Sequence, residues 1–193
     1  MKTTPFPQAF GLALALFCAA SAHAAPLSLQ NASITATYNG AANGMLGLDH
    51  EFASEPGSNT SAIHPPGDGV EFFTADFLFG IDFDASGLMT VIANSAVSPG
   101  DHRMRFDFGA SLASPITTLM LAGSSGTSGA PGLSIVDGHT VALDFNGVDW
   151  SEFGSLSVQL GAAAAVPEPG GMAIVLAGMA GLALARRTRK PRR

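Results

Sequence analysis

The chain has 193 residues, 47% of them hydrophobic and 12% charged, with a formal net charge of −6 at pH 7 and one cysteine, Cys18. Residues 25–166 contain fourteen Asp and Glu but only two cations, Arg103 and Arg105, which gives this part a balance of −12. Because such a surface repels phosphate backbones and anionic lipids, we expect no nucleic-acid partner.

The N-terminal segment, residues 1–24, predicts a signal peptide. Lys2 precedes an apolar run of 12 residues from Ala9 to Ala20, and Ala22 and Ala24 are the small residues that signal peptidase recognises. A helix of this length spans only about 18 Å, too short for a bilayer core. We expect a cut after Ala24, which leaves no cysteine for disulfides, metal sites or nucleophiles. A buried N-terminal helix is the alternative.

Residues 25–160 predict an all-β domain, an antiparallel β-sandwich of jelly-roll or immunoglobulin-like type. The alternation from Phe73 to Phe83 predicts one strand with its apolar side chains on one face. A turn at 84–87 leads to a returning strand at 88–93. After a second turn, at 98–101, Met104, Phe106 and Phe108 are expected inside and Arg103 and Arg105 outside. The first of these strands buries Phe73, Ala75, Phe77, Phe79, Ile81 and Phe83, and further strands are expected at 27–38, 116–121, 133–136, 140–145 and 156–160.

The connections between strands are predicted from Gly, Pro, Asn and Asp. Asp137-Gly138 and Asn146-Gly147 predict tight hairpin turns with positive φ. Segments 53–69 and 122–132 predict mobile surface loops because they bury too little apolar area to offset the entropy of ordering them. Residues 161–166 predict a linker of small residues that separates the domain from the C-terminal segment.

One turn resembles part of a calcium-binding loop. Asp82, Asp84, Ser86 and Gly87 occupy the spacing of the first six positions of an EF-hand loop, in which alternate oxygens converge on the ion. Ala93 stands where that loop has a bidentate carboxylate, and the flanks predict strands. The alternatives are a calcium site at Asp82, Asp84 and Ser86 or a solvated hairpin turn. No other cofactor is expected.

The remaining candidate side chains have no motif around them. Asp49-His50-Glu51 groups three side chains that could bind a metal, without a repeated ligand spacing, so we expect surface-loop residues. Trp150 is the candidate for an exposed ligand contact, with a half-buried core residue as the alternative. Because no catalytic motif is present, we expect no enzyme; a glycan-processing enzyme that uses two of the carboxylates is the alternative.

The C-terminal segment combines three features. Val166-Pro167-Glu168-Pro169 precedes 16 uncharged residues from Gly170 to Ala185. As a helix these span about 24 Å, slightly short of a hydrocarbon core. The chain then ends with a basic cluster, which should stay in the cytoplasm and leave the acidic domain outside it. The cluster consists of Arg186, Arg187, Arg189, Lys190, Arg192 and Arg193.

This order of parts resembles the PEP-CTERM family of sorting signals over residues 166–193. The resemblance implies that an exosortase-like membrane protease recognises Pro167, Glu168 and Pro169 and releases the protein from its helix. It also implies a Gram-negative bacterium and a destination at the cell surface or in the exopolysaccharide matrix. The two prolines favour an extended protease substrate. A permanent membrane anchor is the alternative.

The two terminal signals together predict a route. The protein is expected to meet signal peptidase, the inner membrane, an exosortase-like protease and then exopolysaccharide. Its domain is expected to have a structural or glycan-associated role without catalysis.

Overall fold

The computed structural model describes residues 25–63 and 69–163, which belong to one compact unit. This part of the chain is all-β, as predicted. Its strands are β1 (Ala25–Pro26), β2 (Ser33–Tyr38), β3 (Met45–Gly47), β4 (Thr60–Ala62), β5 (Phe72–Thr74), β6 (Phe79–Phe83), β7 (Leu88–Ala93), β8 (Arg103–Asp107), β9 (Ile116–Ser128), β10 (Gly132–Asp137), β11 (Thr140–Asp144) and β12 (Asp149–Ala162). Short 3₁₀ helices lie at Ala42–Gly44, Leu48–His50 and Gly109–Ser111.

The strands form two antiparallel sheets. One has seven strands in the order β1-β12-β7-β6-β5-β3, with β9 also paired to β12. Residues 155–159 of β12 pair with both β7 and β9, so these two strands lie on opposite edges of β12. The other sheet has five strands in the order β10-β11-β8-β2-β4. Strands β9 and β10, which follow each other in the chain, therefore belong to different sheets.

Apolar side chains from both sheets contribute to one core. Phe83 of β6 and Phe106 of β8 have ring centroids 5.2 Å apart, with the rings edge to face. Strand β8 alternates as predicted, because Met104 and Phe106 are buried while Arg103 and Arg105 are exposed. Burying one such large apolar side chain contributes about 1.5–3 kcal/mol.

The single strand predicted from Phe73 to Phe83 is wrong. The chain forms a hairpin instead, in which Phe72 of β5 pairs with Ile81 of β6. The turn lacks Gly, Pro and Asn; it is held by Asp76, whose Oδ1 accepts hydrogen bonds from Thr74 Oγ1 at 2.6 Å and from Leu78 N at 3.1 Å. The hairpin buries Phe72, Thr74, Phe79, Ile81 and Phe83, while Phe73 is half-buried and Ala75 and Phe77 are exposed.

The surface loop predicted at 122–132 is also wrong over most of its length. Strand β9 runs through Ser128 and pairs with β12 from Ala162 to Asp149. A backbone ladder needs N–H and C=O groups and no apolar side chains, so small polar residues can form it. Strand β12 likewise continues through Gly161 and Ala162, two residues beyond the predicted end of the domain, and these pair with Pro26 and Ala25.

The predicted turns have mixed outcomes. The turn at 84–87 joins β6 to β7 as predicted. Asp137-Gly138 begins the turn between β10 and β11, but neither residue has a positive φ. Asn146-Gly147 is a turn without positive φ and is not a hairpin, because it connects β11 of one sheet to β12 of the other. Within the loop predicted at 53–69, residues 60–62 form β4 and pair with β2.

The terminal signals lie outside the described residues. This applies to the signal peptide at 1–24 with Ala22 and Ala24, to the motif Pro167-Glu168-Pro169, to the span at 170–185 and to the basic residues 186–193. Within residues 25–63 and 69–163, no helix has the length and apolar character needed to cross a membrane.

Candidate functional site

The candidate calcium residues lie at the β6–β7 hairpin. The backbone N–H of Ser86 donates to Asp84 Oδ1 at 2.7 Å, and that of Asp84 donates to the Leu88 carbonyl at 2.7 Å. Gly87 adopts a φ of 84°, where L side chains are strained. Because Leu88 already begins β7, no twelve-residue loop forms around an ion. The geometry is that of the hairpin turn.

The electrostatics of the two carboxyl groups differ. Hydrogen bonds from Ser86 lower the pKa of Asp84. Partial burial, and then the nearby charge of Asp84, raise the pKa of Asp82. In the described part of the chain, no three Asp, Glu, His or Cys side chains cluster so that they could hold a metal ion. The carboxylate of Asp84 accepts a hydrogen bond within the hairpin turn, and Asp82 is a strand residue whose charged form is disfavoured by partial burial.

Trp150 is not the exposed contact that the sequence suggested. Only 2% of its surface is exposed, and its ring centroid lies 5.2 Å from those of both Phe79 and Phe145. Its backbone N–H and C=O both bond to Val97, at 2.8 and 2.9 Å. No atom of the described residues accepts a hydrogen bond from its Nε1. Trp150 is a core residue that packs against Phe79 and Phe145, whose own ring centroids are 6.3 Å apart.

Tyr38 is likewise unsuited to stacking on a ligand. Its surface is 7% exposed, and a hydrogen bond of 2.7 Å joins its hydroxyl to His102 Nδ1. Burial, followed by the charge and hydrogen bond of Asp76 and the charge of Asp101, raises the pKa of Tyr38 to about 12. The phenol therefore stays protonated and contributes to packing.

The Asp49-His50-Glu51 group does not converge on one point. Asp49 Oδ2 accepts a hydrogen bond from the Ala62 backbone N–H at 2.7 Å, which fixes the 3₁₀ turn beside β4. His50 Nδ1 instead pairs with Glu55 Oε1 at 2.7 Å. Glu51 is exposed and has a φ of 52°. Asp49 and His50 therefore make separate local contacts, and Glu51 is exposed to solvent.

Three phenylalanines form a cluster on the surface, here called the surface aromatic cluster: Phe52, Phe73 and Phe77. Ring centroids are 4.9 Å apart for Phe52 and Phe73 and 6.0 Å apart for Phe73 and Phe77. Phe77 is 54% exposed, and none of the three belongs to the buried core. A Cβ on Gly80 would come within 3.1 Å of the Phe73 ring, so the glycine leaves room for that ring.

The backbone around the surface aromatic cluster is strained. Phe52 and Phe77 both have a φ of 57°, in the left-handed region that bulky residues rarely adopt. Such strain persists only where surrounding contacts impose it, and it is enriched at binding sites. Sequence analysis missed the cluster because alternation assigned Phe73 and Phe77 to the core, and no local signal linked Phe52 to them.

Two cavities lined by described residues each contain a single carboxylate. One of about 330 Å³ is lined by residues 54–59 with Ala42 and Asn43, and Glu55 is its one carboxylate. Another, of about 250 Å³ between β9 and β12, has Asp149 alone. A glycosidase requires two carboxyl groups on either side of the scissile bond. Neither cavity has this arrangement.

No family model matches the chain, and no curated protein or solved structure matches it either. Its function must therefore be argued from the terminal sequence signals and from the geometry of the domain.

Proposed function

We propose that this chain is an exported envelope protein of the PEP-CTERM type, sorted and cleaved by an exosortase-like protease. The observation that carries the proposal is the order of parts at the C-terminus: Val166-Pro167-Glu168-Pro169, then an uncharged segment at 170–185, then six cations. An apolar segment next to a basic cluster orients itself with the cations in the cytoplasm. The acidic domain is then outside the cytosol, where the signal peptide also directs it.

The pairing of the first and last described strands fits this processing. Ala25, the first residue after the expected signal-peptidase cut, pairs with Ala162 of β12. Cleavage after Ala24 and at Pro167-Glu168-Pro169 would therefore leave every described strand intact.

We further propose that the two antiparallel sheets pack face to face as a β-sandwich, of jelly-roll or immunoglobulin-like type. Phe106 of the five-stranded sheet lies 5.2 Å from Phe83 and 6.3 Å from Phe72 of the other sheet, between ring centroids. The alternation of buried and exposed residues along β2 and β8 supports one covered face. Such a domain would draw its stability from its apolar core, because the expected mature chain has no cysteine for disulfides.

The role proposed for the domain is structural or glycan-associated and without catalysis. The surface aromatic cluster supports the glycan-associated form, because aromatic rings stack on the apolar faces of sugar rings. Exposed carboxylates such as Glu51 can accept hydrogen bonds from sugar hydroxyl groups. The same acidic surface repels anionic polymers, so the polysaccharide that fits is neutral or carries cationic groups.

The sorting proposal is tested by the intact mass of the protein in the secreted and membrane fractions of the producing bacterium. We expect the secreted species to begin at Ala25 and to lack residues 170–193. Pro167→Ala should reduce release, while Pro191→Ala, a matched change outside the motif, should not. A secreted species that retains residues 170–193, or equal effects of the two variants, would contradict the proposal. A permanent anchor predicts full-length C-termini in the membrane fraction only.

The glycan-associated role is tested by binding of the purified protein to the exopolysaccharide of the same cells. Phe77→Ala removes one exposed ring and should weaken binding about five- to tenfold, for a stacking contact of about 1 kcal/mol. Phe153→Ala is the matched control, because Phe153 is 70% exposed and has the same φ of 57° but lies on β12. Equal losses, or no loss for Phe77→Ala, would exclude the surface aromatic cluster as the binding site.

A further inference from the structure

Strand β9 has an edge without a partner strand among the described residues. It pairs with β12 along one edge, and no described strand pairs with the other. At its start, the Ile116 N–H donates to the Gly138 carbonyl at 2.8 Å. Over residues 117–128, backbone pairing within the described part of the chain is with β12 alone. A strand of 13 residues is about 43 Å long, so this edge presents a long row of N–H and C=O groups.

This edge lacks two of the features that normally prevent pairing with another chain, charged residues and prolines, although its register with β12 shifts at Thr117 and Ala122. Exposed edge strands are usually protected by lysines, other charges, prolines, β-bulges or a covering segment. Residues 108–136 contain no charged residue, and the prolines at 115 and 131 lie outside β9. Met120 and Leu121 are instead 62% and 48% exposed. The edge is therefore uncharged, apolar at its middle and, among residues 25–63 and 69–163, not covered by another strand.

The contrast with the rest of the domain indicates what occupies the edge. Residues 25–166 carry an acidic excess of twelve, so two copies repel each other over most of their surfaces. The segment 108–136 is where two copies can approach without bringing carboxylates together. A basic partner would be attracted to the acidic surface and not to this segment. The partner that matches an uncharged strand of small and apolar residues is the same strand.

We propose that β9 pairs antiparallel with β9 of a second copy across a twofold axis, which joins the two seven-stranded sheets. A twofold contact is self-complementary, because each copy supplies the same donors, acceptors and apolar side chains. Met120 and Leu121 of each copy become covered by the partner strand. This inference depends neither on the sorting route nor on glycan binding.

The twofold axis makes a sharp geometric prediction. Residues that face each other in antiparallel strands have Cα atoms about 4.5–5.5 Å apart, and a disulfide requires about 4.4–6.8 Å. A residue on the axis faces its own copy, so one introduced cysteine there can form an intermolecular disulfide. For a residue two positions away from the axis, the two copies are offset by four residues, which is about 13 Å along the strand. No disulfide can form over that distance.

The test is a single-cysteine scan of the full chain in producing cells under mild oxidation. Cys18→Ser removes the only native cysteine, and each residue from Thr117 to Thr127 is then replaced singly by cysteine. We expect the covalent homodimer on non-reducing gels to peak at one position and to fall at least fivefold two positions away. Ser54→Cys is the control, an exposed residue between β3 and β4, far from β9 in sheet order.

A second variant separates strand pairing from chance collision. Met120→Lys places a charge on the edge that must lose water when the strands pair, and it should reduce the peak dimer at least fivefold. Ser54→Lys adds the same charge elsewhere and should leave the dimer unchanged. The proposal is overturned if no β9 position exceeds the Ser54→Cys control, if all positions react equally, or if the adducts contain a different protein.

Discussion

Trp150 gives the sharpest test of the core. Its side chain is 2% exposed and packs edge to face against Phe79 and Phe145. Trp150→Ala removes the whole indole and its contacts with both rings, and it should lower the free energy of unfolding by about 3–5 kcal/mol. A domain of this size has a total stability of about 5–15 kcal/mol, so the variant should lose a large share of it.

The assay is urea unfolding followed by far-UV circular dichroism, because Trp150 is the only tryptophan and its fluorescence is lost in the variant. Trp150→Phe keeps most of the packing and removes an Nε1 donor that has no acceptor among the described residues. Its loss in free energy of unfolding should therefore be less than half that of Trp150→Ala. Phe153→Ala, on the same strand at 70% exposure, should change stability by about 0.5 kcal/mol or less. A loss below about 1 kcal/mol for Trp150→Ala would refute its place in the core.

Three further predictions concern the backbone and the titratable groups. Gly87→Ala should destabilise the protein more than Gly40→Ala, and urea unfolding midpoints measure the difference. Both glycines have a positive φ, 84° and 78°. A Cβ at Gly87 would collide with the Leu27 carbonyl, whereas the space around Gly40 is open. Asp82→Asn should stabilise the protein at pH 7, because burial raises the pKa of Asp82 above 3.8. The contribution of Asp82 to stability is present below pH 3.8 and is lost as the pH rises. The difference in unfolding free energy between variant and wild type, measured by urea titration, should therefore vanish below pH 3.8. The pKa of Tyr38 is raised from 10.0 to about 12, so its contribution is present below pH 10 and is lost between pH 10 and 12; Tyr38→Phe should flatten the alkaline part of the stability profile.

Sequence patterns predicted the strands whose two faces differ. In β8 the exposed Arg103 and Arg105 alternate with the buried Met104 and Phe106, so one period of two residues identifies both the strand and its inner face. The same reasoning failed at 73–83, because the alternation continues across the turn at Asp76. That turn is held by side-chain hydrogen bonds that composition does not signal.

Long-range pairing could not be predicted from local composition. Residues 122–128 contain small and polar side chains typical of loops, and only their ladder with β12 makes them a strand. Trp150 lies between Asp149 and Glu152 in sequence, so local composition left both an exposed contact and a half-buried core residue open, whereas its burial depends on Phe79 and Phe145 from other segments. The surface aromatic cluster likewise depends on contacts between distant residues.

The location of the domain relative to the inner membrane is the claim on which the proposed function depends. The most direct measurement uses two reporters fused in turn after Ala163 of the full-length precursor: an enzyme that is active only when its disulfides form outside the cytosol, and a fluorescent protein that matures only in the cytoplasm. We expect activity from the first reporter and no signal from the second. Fluorescence without enzyme activity would place the domain in the cytoplasm and overturn the proposed function.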